Sequence, residues 1–195
     1  RPRWAMAKSL FSDSWPLLLS AMVVIVYMRT DILMLKHMLG NEAVGHYAAA
    51  VRISEAWYFI PMVITNSLFP AIINARSIDL GLYHDRLRSL FSITIWFSLA
   101  ISVPVVFISE WAIISLYGPE YIQAGNVLMI HIWTGIPISV GVVSSGFWIA
   151  ENLQKTQMIF TIIGLMLNIL LNLVFIRLYG VTGAALATLL SYLAT

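Results

Sequence analysis

Long apolar runs are the feature that most constrains what this chain of 195 residues can fold into. Three of them contain no Asp, Glu, Lys or Arg: Ser89–Ser109, Asn126–Ala150 and Thr156–Ile176. A helix needs about 20 consecutive apolar residues to cross the hydrocarbon core of a bilayer, so each run is long enough to span it. Charged residues make up only 10% of the chain, against about 25% in soluble proteins. The sequence therefore predicts an all-α, polytopic transmembrane helix bundle.

Charges, prolines and glycines divide the chain into five complete spans and a sixth that is truncated. The predicted spans are residues 14–35, 47–75, 89–115, 124–150, 157–177 and 181–195. The last segment is shorter than a spanning helix requires, and the sequence starts with neither an initiator Met nor a signal peptide. We therefore expect residues 1–195 to form one domain that is cut from a longer protein at both ends.

Basic residues divide unevenly between the two sides of the membrane that alternating loops define. One side holds Arg1, Arg3, Lys8, Arg76, Arg86, Arg88 and Lys155, and the other holds Lys36 and Arg177. Because cytoplasmic loops carry an excess of Lys and Arg, the first side, with the N-terminal end, is predicted to be cytoplasmic. The basic residues are scattered rather than clustered on one face, so nucleic acid is not an expected partner.

Four charged residues lie inside the first two spans, where a charge costs about 3 kcal/mol or more at mid-bilayer. Arg29 and Asp31 precede the turn between the spans, and Arg52 and Glu55 follow it, so an antiparallel hairpin places all four at one depth. Arg52 and Glu55 share a helical face, whereas Arg29 and Asp31 point to different sides. Two interpretations stay open: a charge network that locks or anchors the hairpin, and one wall of a water-filled cavity.

Polar side chains in other spans are interpreted as contacts between helices. Asn168 and Asn172 are one helical turn apart, so their amides share a face and can bond to a neighbouring helix. Asn66 in the second span is interpreted in the same way. His131 is also expected to be satisfied structurally, because no carboxylate lies near it in sequence to form a proton relay.

No pattern in the sequence supports an enzyme. The segment from Gly40 to Gly45 has the outer spacing of a phosphate-binding loop, but His46 and Tyr47 follow where Lys and Ser or Thr are required. No two His residues have metal-ligand spacing, and no Ser lies in a nucleophile elbow. The loops are too short to hold a soluble catalytic domain. We expect no catalytic residue, no metal and no cofactor apart from a coupling ion.

Several segments resemble one family of membrane proteins. Met34–Gly40 and Ala43–Pro61 look like the C-terminal half of bacterial polysaccharide flippases of the Wzx type, and the resemblance continues through Ser67–Ile72 and Tyr179–Thr188. These flippases belong to the multidrug/oligosaccharidyl-lipid/polysaccharide exporter superfamily, in which the Tyr179–Thr188 pattern is shared more widely. The resemblance covers nearly the whole chain.

The resemblance implies a two-lobed helix bundle, of which this chain is most of the second lobe, that rocks between inward- and outward-open states. The implied activity is transfer of an undecaprenyl-diphosphate-linked oligosaccharide across the bacterial inner membrane, for surface polysaccharides such as O-antigen. The implied partners are this lipid, membrane lipids and the missing N-terminal lobe of the same chain. Arg29 and Arg52 would contact the anionic substrate, while Asp31 and Glu55 would orient them or take part in coupling to Na⁺ or H⁺.

Two rival functions remain from the sequence. A drug or metabolite antiporter of the same superfamily, driven by sodium or protons, would use Asp31 or Glu55 as a titrating group. A membrane-embedded enzyme that processes glycans would need a large loop outside the membrane or a catalytic His or Asp pair, and this stretch shows neither.

Overall fold

The computed structural model describes the backbone of residues 4–195, and the side chains of all of these except 5–10, 12 and 13. Within that range the chain forms α-helices and short 3-10 turns without a β-strand. The helices are α1 (Trp4–Leu39), α2 (Asn41–Glu55), α3 (Phe59–Arg76), α4 (Leu80–Tyr117), α5 (Gln123–His131), α6 (Gly135–Ala150) and α7 (Gln154–Leu193). The predicted all-α helix bundle is confirmed.

Five helical stretches are long and apolar enough to cross a membrane. They are Ser14–Leu39, Asn41–Arg76, Leu80–Tyr117, Gln123–Ala150 and Gln154–Leu193. Many large apolar side chains on them are exposed, including Trp96 at 71% and Phe107 at 84%. A helix that is apolar on all sides suits a lipid environment, so the chain is a multi-pass membrane protein. Arg1 and Arg3, on which the predicted orientation partly depends, lie outside the described residues.

Tight turns hold neighbouring helices antiparallel. Gly40 alone joins α1 to α2, with a φ of 90° that favours glycine. Asp79 caps α4, because its carboxylate accepts a hydrogen bond from the backbone N–H of Gly81 at 2.9 Å. At the other end of α4, Gly118 has a φ of 97° and stops the helix. The bundle therefore follows the up-and-down order that short loops impose.

Two of the membrane-spanning stretches are each made of two helices. The second breaks at residues 56–58, between α2 and α3, and the fourth breaks at a 3-10 turn, Ile132–Thr134, between α5 and α6. Pro61 and Pro137 stand third in the helices that follow. Proline lacks the N–H that bonds the carbonyl four residues earlier, and its ring clashes with that carbonyl. Both effects favour a break in the helix at each of these sites.

The last stretch, α7, turns back on itself at Gly180. This residue has φ 60° and ψ −135°, a conformation that residues with side chains rarely adopt. The arm of residues 154–179 packs against the arm of residues 181–193, and a Cβ on Gly183 would lie only 2.0 Å from the carbonyl oxygen of Phe175. The arms occupy the places of the fifth and sixth predicted spans.

Two apolar cores hold the helices together. The larger joins α1, α2, α4, α5 and α7; its most buried members include Leu35, Tyr47, Ala50, Ile113, Val127, Leu128, Ile132, Ile176 and Ala185. The smaller joins α3, α4 and α6 through Ile72, Tyr83, Leu87, Leu90 and Val143. Because α2 packs in one core and α3 in the other, the break at residues 56–58 lies at the boundary between them.

Candidate functional site

The carboxylate of Asp31 on α1 is buried inside the bundle, with the residue only 3% exposed. Its Oδ2 atom accepts hydrogen bonds from the Tyr47 hydroxyl at 2.7 Å and the Thr188 hydroxyl at 2.5 Å. Its Oδ1 atom accepts from the side-chain amides of Asn172 at 2.6 Å and Asn168 at 3.2 Å. A carboxylate offers about four acceptor positions, and these four donors fill them. We call Asp31 and its four donor residues the Asp31 cage.

Three elements build the Asp31 cage. Tyr47 comes from α2, the two asparagines from the first arm of α7, and Thr188 from its second arm. Asn168 and Asn172 share a helical face because they are one turn apart, and both are fully buried. The two asparagines thus join α7 to α1.

A second layer of hydroxyl groups supports the Asp31 cage. The Tyr27 hydroxyl donates to Ser191 Oγ at 2.6 Å, and the Ser191 hydroxyl donates to the Thr188 carbonyl at 2.9 Å. The Asn172 amide also donates to Asn168 Oδ1 at 3.1 Å. The four hydrogen bonds to the carboxylate thus come from neutral donors alone.

No cation balances Asp31 among the described side chains. No Lys, Arg or His nitrogen there lies within 4.0 Å of its carboxylate. Burying an ion costs several kcal/mol, and neutral hydrogen bonds offset only part of that cost. The buried Oδ1 atom of Asn172 also has no hydrogen-bond partner in this part of the chain. The oxygen-rich, uncompensated carboxylate is chemically suited to hold a proton or a small monovalent cation.

A narrow pocket leads to Asp31. We call it the Asp31 pocket; it is lined by Met28, Asp31, Tyr47, Val51, Glu55, Tyr58, His131, Ile138, Thr188 and Tyr192. Its volume is about 10 Å³, close to the smallest space that holds one water molecule. Asp31 and Glu55, from the two predicted hairpin helices, thus meet at one pocket.

The two hairpin arginines behave differently from the two acids. Arg29 and Arg52 are exposed, whereas Glu55 is half-buried. None of them forms an ion pair within 4.0 Å with a described side chain. The hairpin charges therefore do not form a closed salt-bridge network in this part of the chain. The structure instead presents two cations on the surface and two acids at an inner pocket.

The two helix breaks contact each other beside this pocket. The Tyr58 hydroxyl lies 2.6 Å from Thr134 Oγ1, and Ser54 Oγ lies 2.8 Å from His131 Nδ1. Gly135 leaves room for the ring of Trp57, since a Cβ there would lie 2.2 Å from the ring. Discontinuous helices that meet inside a bundle are typical of substrate and ion sites in transporters.

The remaining sequence candidates lie elsewhere or have other partners. Asn66 is exposed on α3, and His131 is buried against Ser54. Sequence reasoning missed Tyr47 and Thr188, the two hydroxyl donors to Asp31. The only available signal for Thr188 was a hydroxyl within a stretch of small apolar residues.

The opposite end of the bundle carries an ion pair. Arg76 at the end of α3 contacts the Glu151 carboxylate at 2.8 Å and donates to the Ala150 carbonyl at 2.9 Å. Tyr83 donates to the same carboxylate at 3.3 Å. These contacts tie the end of α6 to α3 and α4. In the part of the chain that the structure describes, no group of three or more His, Asp or Glu side chains is placed to hold a metal ion.

Known proteins share this fold. A model of the MatE family matches residues 16–174. The probable low-salt glycan biosynthesis flippase Agl15 of Haloferax volcanii is 26% identical over 196 residues, which cover 98% of this chain and 41% of that protein. An outward-facing multidrug resistance MATE family transporter superposes with a TM-score of 0.76 at 22% identity, over 93% of this chain and 41% of its own.

A lipid II flippase has the same fold. Lipid II flippase MurJ, in an inward closed conformation, superposes with a TM-score of 0.74 at 18% identity, over 92% of this chain and 39% of its own. The chain therefore spans about two fifths of the length of the proteins it matches.

Proposed function

Because this chain belongs to the MatE family of membrane transporters, we propose that it forms one lobe of a flippase for a lipid-linked oligosaccharide. A relative that aligns with nearly the whole chain is named a probable glycan biosynthesis flippase, which supports this substrate class. The lobe is the C-terminal one in our proposal, as the resemblance of the hairpin segments implies. Its partner is an N-terminal lobe of the same chain, and the substrate is the undecaprenyl-diphosphate form in the bacterial inner membrane.

The observation that carries the proposal is the position of Arg29 and Arg52. Both guanidinium groups lie within membrane-spanning stretches, both are exposed, and neither has a carboxylate within 4.0 Å among the described side chains. Cations at such positions usually face a water-filled cavity or a substrate path. A diphosphate accepts paired hydrogen bonds from guanidinium groups, so these two residues suit the anionic part of a lipid-linked glycan.

The proposal is tested by Arg52→Ala in the full-length protein. A hydrogen bond to a charged group contributes about 1.5–3 kcal/mol, so we expect glycan export to fall to about a tenth or less. Export is measured as surface glycan in a strain that lacks its own flippase, with membrane levels of each variant checked by immunoblot. The matched control is Arg88→Ala, which removes an exposed arginine in the third turn of α4 and should leave export unchanged. Wild-type export by Arg52→Ala at normal membrane levels would contradict the proposal.

We assign ion coupling to Asp31. The Asp31 carboxylate and the Thr188 hydroxyl supply oxygen atoms at one buried point, and the two asparagine amides donate N–H groups to the carboxylate. The buried Asn172 Oδ1 is a further acceptor that has no partner among the described residues. This set fits either H⁺ on the carboxylate or a small cation such as Na⁺. Binding of the cation would neutralise the buried charge and thereby favour one packing of α7 against α1 over another.

A multidrug transporter is the second candidate, supported by the fold that the chain shares with a multidrug resistance MATE family transporter. The same deletion strain separates the two functions. A glycan flippase restores surface glycan without changing drug resistance, whereas a drug transporter raises resistance to cationic drugs and leaves the glycan absent.

A further inference from the structure

The two oxygens of Asp31 have different surroundings. Oδ1 faces the amides of Asn168 and Asn172, which do not line the Asp31 pocket. Oδ2 faces the hydroxyls of Tyr47 and Thr188, and both of these residues line the pocket. Hydroxyl protons rotate, whereas the N–H groups of an amide are fixed in its plane. The pocket thus reaches the side of the carboxylate whose donors can turn away.

Thr188 has a second acceptor ready for its proton. Its hydroxyl lies 2.5 Å from Asp31 Oδ2 and 3.1 Å from the carbonyl oxygen of Ala184. When the proton turns to that carbonyl, the hydroxyl keeps a hydrogen bond, and both Thr188 Oγ1 and Asp31 Oδ2 offer lone pairs to the pocket. A proton or small cation can therefore reach and leave Oδ2 when one hydroxyl group rotates, without any rearrangement of the backbone.

Glu55 is the other acid of the Asp31 pocket. It is half-buried, it ends α2 immediately before the helix break, and it accepts no side-chain hydrogen bond from the described residues. The pocket between the acids has room for about one water molecule. Arg29 is an exposed cation on α1, two positions before Asp31. A negative charge in such a narrow opening concentrates cations and accelerates their entry by about 10- to 1000-fold.

We propose that Glu55 is the entry residue through which a monovalent cation passes between the transport cavity and Asp31. Glu55 attracts the cation, the pocket passes it on, as Na⁺ itself or as a proton relayed by one water, and rotation of the Thr188 hydroxyl admits it to Oδ2. Glu55 therefore sets the rate of exchange without belonging to the equilibrium site. This role rests on the coupling function proposed for Asp31.

The test measures exchange rate and affinity separately in the purified full-length protein. The infrared carboxyl signal that Asp31→Asn removes is followed after a Na⁺ jump at constant pH and after a pH jump without Na⁺, so the two arms identify the ion. For Glu55→Gln we expect association and dissociation to slow by about 10-fold or more in the arm of the coupling ion. A residue that lies on the path lowers the barrier to passage in both directions, so its loss should slow both rates and leave the affinity within about threefold of wild type.

Three further variants complete the design. Glu55→Asp keeps the charge and should recover most of the rate. Glu42→Gln makes the same change at a 91% exposed side chain on the same helix, outside the Asp31 pocket, and should behave as wild type. Arg29→Gln removes the nearby positive charge and should accelerate entry, which provides a second measurement if Glu55→Gln does not fold.

Three other results would overturn the role proposed for Glu55. Wild-type rates in Glu55→Gln, or unchanged rates in Arg29→Gln when Glu55→Gln does not fold, overturn the role of Glu55 and leave the function of Asp31 standing. A loss of affinity in Glu55→Gln that matches Asp31→Asn shows that Glu55 belongs to the site, and this also overturns an entry role. If Asp31→Asn leaves every ion-dependent infrared carboxyl signal in place, Asp31 is not the coupling site, and this overturns the entry proposal as well.

Discussion

Asp31 is a buried acid inside a membrane protein, and all four of its hydrogen-bond donors are neutral. A carboxylate in this position has two stable forms, an anion that four donors satisfy and a cation-bound form that no longer needs all of them. The hydroxyls of Tyr47 and Thr188 can reorient between these forms, while the amides of Asn168 and Asn172 stay in place. At the scale of single residues, the cage is therefore arranged for exchange rather than for permanent locking.

Thr188→Val tests how much the anion depends on one hydroxyl. Valine has nearly the shape of threonine but cannot donate to Asp31 Oδ2, and a hydrogen bond to a charged group contributes about 1.5–3 kcal/mol. We expect a lower thermal unfolding midpoint for the full-length protein in detergent. The control is Thr182→Val, whose hydroxyl bonds only the nearby Tyr179 carbonyl at an exposed site, and its effect should stay within about 0.5 kcal/mol. Equal midpoints for the two variants would contradict the importance of the Asp31 contact.

Residue spacing predicts part of this site but not its partners. Arg29 and Asp31 are two positions apart, which places them on different sides of α1, and one is indeed exposed while the other is buried. Spacing cannot show that Thr188 reaches Asp31, because that contact depends on how the second arm of α7 packs. Only the fold of the whole chain brings these two residues together.

At the scale of elements, apolar length predicts that helices form but not where they break. The breaks in the second and fourth stretches follow from Pro61 and Pro137, yet proline is common in membrane helices and does not always break them. Pro104 lies within the continuous helix α4. At the two breaks, unlike at Pro104, the hydroxyls of Tyr58 and Thr134 form a hydrogen bond with each other. The sequence of either segment alone cannot predict this contact.

The hairpin of α7 depends on close contact between its arms. A Cβ at Gly183 would lie 2.0 Å from the Phe175 carbonyl oxygen, which belongs to the backbone and cannot turn away. Gly183→Ala should therefore separate the arms and destabilise the protein by about 1–3 kcal/mol. In the control Gly141→Ala, the new Cβ meets no atom within 4 Å, and alanine stabilises a helix interior by about 0.5–1 kcal/mol relative to glycine. Thermal unfolding should thus shift in opposite directions for the two variants, and a shift in the same direction would show that the arms are not tightly packed.

At the scale of the whole molecule, the unequal distribution of basic residues predicts the orientation in the membrane. His37, at the turn between α1 and α2, and Lys155, at the start of α7, are both exposed and lie at opposite ends of the bundle. In a cysteine-free full-length protein, a membrane-impermeant maleimide added outside intact cells should label His37→Cys and spare Lys155→Cys. Permeabilised cells, in which both positions should react, provide the control. The reverse pattern would place the basic end outside.

The Asp31 cage also has a consequence for how the protein is made. Thr188 follows Asp31 by 157 positions, so at about 5–20 residues per second it leaves the ribosome roughly 8–30 s later. Asn168 and Asn172 arrive only slightly earlier, and Tyr47 alone follows promptly. Helix α1 therefore enters the bilayer while Asp31 lacks three of its four hydrogen-bond donors. Until α7 is made, Asp31 must stay protonated or α1 must stay beside the insertion machinery. A nascent chain that stops short of α7 keeps a buried acid with only one of its four hydrogen-bond donors, Tyr47.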